Sequence, residues 1–128
     1  MLAITAIYAS LLGLLFITLS ANVIRRRLKA RVSVGDGGDH ALIKAIRCQA
    51  NCAEYAPIGL ILLGISEIQG APGWAVHLLG AALVVGRVLH AYGFGHQPQI
   101  VSMRQLGIVL TLAMIVLAAL GNLGHALI

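Results

Sequence analysis

Residues 1–31 read MLAITAIYASLLGLLFITLSANVIRRRLKAR, an uncharged run of twenty-four positions followed by five cations in seven. A helix needs roughly 20 predominantly apolar residues to cross a hydrocarbon core, and Met1 to Ile24 supplies them. A secretory signal peptide carries its positive charge ahead of a short apolar core. Here the charge follows a long one, so the segment reads as a permanent first span.

The rest of the chain agrees. Of 128 residues, 59% are hydrophobic and only 10% are charged, against about a quarter charged in a soluble domain. The reading is an all-α membrane protein, one domain over 1–128, with four spans at about residues 1–26, 41–68, 72–93 and 103–126. Short loops make it an up-down-up-down bundle.

Charge sets the expected topology. Arg25, Arg26, Arg27, Lys29, Arg31, Lys44 and Arg47 gather around loop one, and Arg87 and Arg104 flank loop three. Loop two and both ends lack Lys and Arg. The positive-inside rule therefore puts loops one and three in the cytoplasm and both termini outside. The formal charge of +5 reads as topology and attraction to anionic membrane lipids. With no soluble domain to present a basic patch, nucleic-acid binding is not expected.

Helix one is expected to run on through Arg31 until Ser33-Val-Gly-Asp-Gly-Gly-Asp39 breaks it, since four consecutive turn formers cannot hold a helix. Asp39 then suits the N-cap of helix two. The Asp-Gly-Gly run lacks the preceding strand and following Gly-Lys-Ser/Thr of a phosphate loop. Gly70-Ala-Pro-Gly73 is a tight turn, Trp74 suits an interfacial belt, and Gly93-Phe-Gly-His-Gln-Pro98 ends helix three.

The chemistry concentrates in helix two. At about 100° per residue, Lys44, Arg47, Asn51, Glu54, Tyr55 and Ile58 share one sector. This column of cation, amide, carboxylate and phenol suits a small zwitterionic or anionic ligand, and ionisable groups in a span usually carry function. Pro57 removes a backbone hydrogen bond and bends the helix beside them. Glu54 reads as the one acid deep in the bundle, which calls for Arg47 or Arg87 as its partner. Cys48 and Cys52, four apart on one helix, are poorly placed for a disulfide and read as small packing residues. No serine triad, zinc motif or paired acidic site is present.

Arg47-Cys-Gln-Ala-Asn-Cys-Ala-Glu-Tyr-Ala-Pro57 resembles the helix-two motif of the MAPEG family, the membrane-associated proteins of eicosanoid and glutathione metabolism. Length, four-span layout, basic first loop and an Arg-bearing third helix extend the resemblance over the whole chain. Gly35-Asp-Gly-Gly38 and Gly86-Arg-Val-Leu-His-Ala-Tyr-Gly-Phe94 look most similar to small bacterial inner-membrane members.

The resemblance implies a homotrimer that binds glutathione as co-substrate between subunits near the cytoplasmic side. It assigns ligand contacts to Arg27, Arg47, Gln49, Asn51, Glu54 and Tyr55. It also assigns thiolate stabilisation to Arg104, for attack on a small lipophilic electrophile. Guanidinium groups suit the carboxylates of the tripeptide, and Glu54 suits its ammonium. The chain departs from the pattern on helix three, with His90 and Phe94 where binding members often carry tyrosines, and on helix one, with Leu28 where one branch has a second Arg. His90 can donate a hydrogen bond in place of a Tyr hydroxyl. These departures leave two other readings beside a transferase or peroxidase. One is a non-catalytic scaffold; the other is a small multidrug-type transporter, which the acid-free first helix disfavours.

Overall fold

A computed structural model describes residues 1–128 as four helices, α1 (Ala3–Ala30), α2 (His40–Ile68), α3 (Gly73–Gly95) and α4 (Val101–Leu127). With a rise of 1.5 Å per residue, the 28 residues of α1 extend about 42 Å, enough for hydrocarbon and one headgroup layer. The helix passes through the Arg25–Arg27 cluster without a break. It stops at Arg31, whose left-handed φ of 57° bends the chain into loop one. Asp39 caps α2 as its position predicts, its carboxylate accepting from the Leu42 N–H at 2.8 Å. Pro57 lies within α2 without ending it.

Three helices, α1, α3 and α4, are apolar enough along an 18-residue window to cross a membrane by composition alone. The fourth, α2, carries Lys44, Arg47, Glu54 and Glu67 and occupies the middle of the bundle. It packs against α1, α3 and α4, while α1 and α4 do not meet. Leu12, Cys52, Leu63, Val76, Leu83 and Met114 form the core between the layers. Only 24 of 128 residues are buried. Ile7, Leu14, Ile17, Val109, Val116 and Leu120 instead point outward, the pattern of a thin bundle whose solvent is lipid.

Close backbone approach holds α3 to α4. A Cβ on Gly107 would stand 2.5 Å from both the Gly86 carbonyl oxygen and the His90 nitrogen, and one on Gly93 would stand 2.6 Å from the Arg104 nitrogen. Small residues serve this purpose in membranes, where packing rather than water expulsion drives association. At the end opposite loop one, the α2–α4 seam is polar. Ser66 Oγ donates to Asn122 Oδ1 at 2.7 Å, and Asn122 Nδ2 donates to the Leu62 carbonyl at 2.9 Å.

The start of α1 is closed by a residue sixty positions away. Glu67, at the end of α2, accepts from the Ile4 N–H at 2.9 Å and the Thr5 N–H at 2.7 Å. A carboxylate there satisfies amides with no partner in their own helix and meets the positive end of the helix dipole. Between α1 and α3, the Tyr8 ring occupies the space a side chain at Gly80 would need, and its hydroxyl meets His77 Nδ1 at 3.0 Å.

Two outcomes follow for unfolding in detergent. Glu67→Ala lowers stability by about 1–2 kcal/mol through the lost cap, and Glu67→Gln by less. Gly107→Ala forces α3 and α4 apart and costs about 1–3 kcal/mol. Thermal melts of the purified variants read both.

Candidate functional site

The column on α2 divides in two. Counted at 100° per residue, Asn51, Lys44 and Tyr55 fall within about 40° of arc, and Glu54, Arg47 and Ile58 fall within the adjoining 40°. The boundary of the bundle runs between these halves. Lys44 is buried and its Nζ donates to the His96 carbonyl at 2.8 Å. Asn51 turns inward to Arg87. Arg47 and Glu54 turn outward and pair at 3.7 Å, with their side chains 52% and 54% exposed.

Glu54 is therefore not the acid inside the bundle that its sequence position implies, and it does not pair with Arg87. The interior charge is Arg87 itself, 1% exposed. Its Nε donates to Thr111 Oγ1 at 2.9 Å, its Nη1 donates to Asn51 Oδ1, and its guanidinium lies 5.1 Å from the Tyr55 ring centroid. The aromatic face and two oxygen acceptors replace a carboxylate as its surroundings.

Beyond this buried group, toward loops one and three, a cleft of about 140 Å³ opens between α2, α3 and α4. Arg47 and Asn51 line it from α2, His90 and Phe94 from α3, and Arg104 from α4. The closeness of α3 to α4 at Gly93 brings the first turn of α4 against the last turns of α3. Arg104 Nη1 donates to Gln99 Oε1 at 2.9 Å, which steadies the guanidinium from loop three. The His90 ring stacks on Phe94 at 5.9 Å and 8°, so this wall presents imidazole and phenyl together.

Four residues singled out in the sequence, Arg47, Asn51, His90 and Arg104, thus share one cleft. Glu54 adjoins it through Arg47, and Tyr55 through Arg87. Arg27 and Gln49 stand elsewhere in the single chain. Arg27 donates to the Gly35 carbonyl at 2.6 Å and lines an open groove with Leu28 and Arg31. Gln49 is half-buried on a different face of α2, about 140° round from Lys44. The sequence carries no sign of Thr111 or Gln99, and it marks Arg87 as a topology charge and a counter-charge rather than as part of a site. A lone arginine within an apolar stretch was a signal; nothing marked a threonine in α4 as its seat. Cys48 and Cys52 are free, buried thiols, and Cys48 lies 3.6 Å from the Ala91 carbonyl.

In chemical terms the cleft offers two guanidinium groups, an amide and an imidazole within one small space, with an acid at its outer edge. Such a set binds a carboxylate-bearing ligand and can stabilise a second negative charge beside it.

The chain is 40% identical over 122 residues to the inner membrane protein YecN of Escherichia coli K12, covering 95% of this chain and 92% of the relative. The protein of that name from Escherichia coli O6:H1 matches to the same extent. The sequence model of the MAPEG family matches residues 5–124, which takes in every residue of the cleft and all four helices but for the outermost residues of α1 and α4, and the chain belongs to that family as a multi-pass membrane protein.

Proposed function

We propose that the protein is a glutathione-dependent transferase or peroxidase of the inner membrane, acting on lipophilic electrophiles that reach it through the bilayer. One observation carries the reading: Arg104 of α4 shares a cleft with Arg47 and Asn51 of α2. A thiol on a ligand held by the α2 residues then has a cation beside it. One cation about 4 Å away contributes up to about 4 kcal/mol at an effective dielectric near 20. Each pKa unit takes about 1.4 kcal/mol, so a thiol of ordinary pKa about 8.5 becomes a thiolate at neutral pH. The thiol proton goes to solvent, and the thiolate sulfur forms a thioether with the electrophile; a leaving group departs with its bonding pair, or the π pair of an activated double bond shifts to the far atom, which takes up a proton.

Assembly belongs to the same proposal. The cleft of about 140 Å³ is below the roughly 300 Å³ at which ligand sites begin. Glu54, the middle residue of α2, stands half-exposed on the outer face, where hydrocarbon is a costly neighbour for a carboxylate. Neighbouring chains of a homotrimer cover that face and complete the site. Arg27 and Gln49 then contribute from a second subunit, and the basic loop-one end lies in the cytoplasm with both termini outside.

The His90–Phe94 stack favours a second reading. It fills the α3 wall with two rings in place of phenol hydroxyls, which suits a binding scaffold without turnover.

The tests are direct. Calorimetric titration of glutathione into detergent-purified protein shows binding, weakened about tenfold or more by Arg47→Ala and by Glu54→Ala through lost charge-assisted hydrogen bonds. No binding by folded wild-type protein sinks the proposal. Conjugation of a lipophilic electrophile at pH 7 falls about thirtyfold in Arg104→Ala, the thiolate fraction of a group with pKa about 8.5. Its rate recovers as the pH rises through 8.5. Binding without turnover at any pH selects the scaffold reading.

A further inference from the structure

The hydrogen bonds around Arg87 all point away from it. Thr111 Oγ1 donates to the Gly107 carbonyl at 2.9 Å and accepts from Arg87 Nε at the same distance. On its other side Arg87 Nη1 donates to Asn51 Oδ1. A guanidinium carries donors and no acceptor. The Asn51 atom that meets it is therefore the oxygen, and the amide orientation, open to a flip for most asparagines, is decided by chemistry. The two N–H groups of Asn51 are left for the cleft that this residue lines with Arg47 and Arg104.

We propose that Arg87, seated by Thr111, is a positioning residue that locks Asn51 as a donor toward the cleft and so makes this corner specific for a carboxylate. Were Arg87 replaced by a residue that both donates and accepts, the amide would turn freely. The cleft would then meet a neutral carboxamide nearly as well as an acid. Arg87 itself touches no ligand. The inference rests on the glutathione reading, because it assigns one carboxylate of that ligand to Asn51.

The experiment compares glutathione with its two mono-amides, one at each carboxylate, by calorimetry on detergent-purified protein. The quantity read is the ratio of acid to amide affinity, which a general loosening of the fold leaves unchanged. In wild-type protein one of the two amides binds about tenfold or more weakly than the acid. In Arg87→Gln that preference falls by about fivefold, and in Thr111→Val it falls in the same direction by less. Asn51→Asp, which keeps an oxygen for Arg87 and puts a second one in the cleft, reverses it. In an Asn51→Ala background Arg87→Gln leaves the ratio where it is, as expected of a residue acting through another. Thermal melts accompany each variant. If Arg87→Gln does not fold, Thr111→Val and Asn51→Asp carry the test. Equal losses for acid and amides in Arg87→Gln or Thr111→Val, or an unchanged ratio in Asn51→Asp, overturn the assignment and leave the glutathione site standing. Wild-type protein that binds neither acid nor amide overturns both.

Discussion

A charged group taken out of water must find its partners within the protein, and Arg87, 1% exposed, is where that constraint presses hardest: Nε and Nη1 are bonded, while the buried Nη2 has no partner. The guanidinium leaves α3 and reaches Asn51 and Tyr55 on α2 and Thr111 on α4. One side chain therefore ties three helices at a single depth. Replacing only one member leaves a buried polar atom unmatched, which costs more than the bond itself contributes. The glycines of α3 and α4 make the contact possible, since Gly86 admits Thr111 at a distance no Cβ would tolerate. The first helix stands outside this knot and is fastened separately, by Glu67 at its start and by Tyr8 along its length.

Most of the fold is legible in the sequence because membranes simplify the problem. A run such as Met1 to Ile24 has one stable form in hydrocarbon, since every backbone amide must be bonded within the segment. The stop at Ser33–Asp39 and the cap at Asp39 follow from local chemistry, and the structure has both. Side-chain direction on α2 was harder to read. A shared sector seen at 100° per residue does not reveal that the bundle boundary passes through its middle. A difference of about 60° separates buried Lys44 from half-exposed Arg47, and only the packing of α3 and α4 fixes which side is inside. For the same reason Glu54 exchanged roles with Arg87, and Thr111 carried no mark of its own.

This division gives the α2 column two functions. Its inner half, Lys44, Asn51 and Tyr55, is spent on α3 and loop three, and so gives rigidity. Its outer half, Arg47 and Glu54, is held only by a long ion pair that contributes little when both ends are exposed. Rigid groups behind and adjustable groups in front suit the proposed site, in which a neighbouring chain supplies the final wall: fixed donors set orientation and free charges adapt to what arrives.

The Glu67 cap has a bearing on the order in which the chain assembles. The amides at the start of α1 are made first, yet their acceptor is made last in α2, more than sixty residues later. Until α2 is complete, the leading turn of α1 must keep company with water or headgroups, and cannot settle into hydrocarbon. Closing the bond joins the two helices at the ends farthest from loop one. The first hairpin thereby becomes a latched unit, closed at one end by loop one and at the other by Glu67.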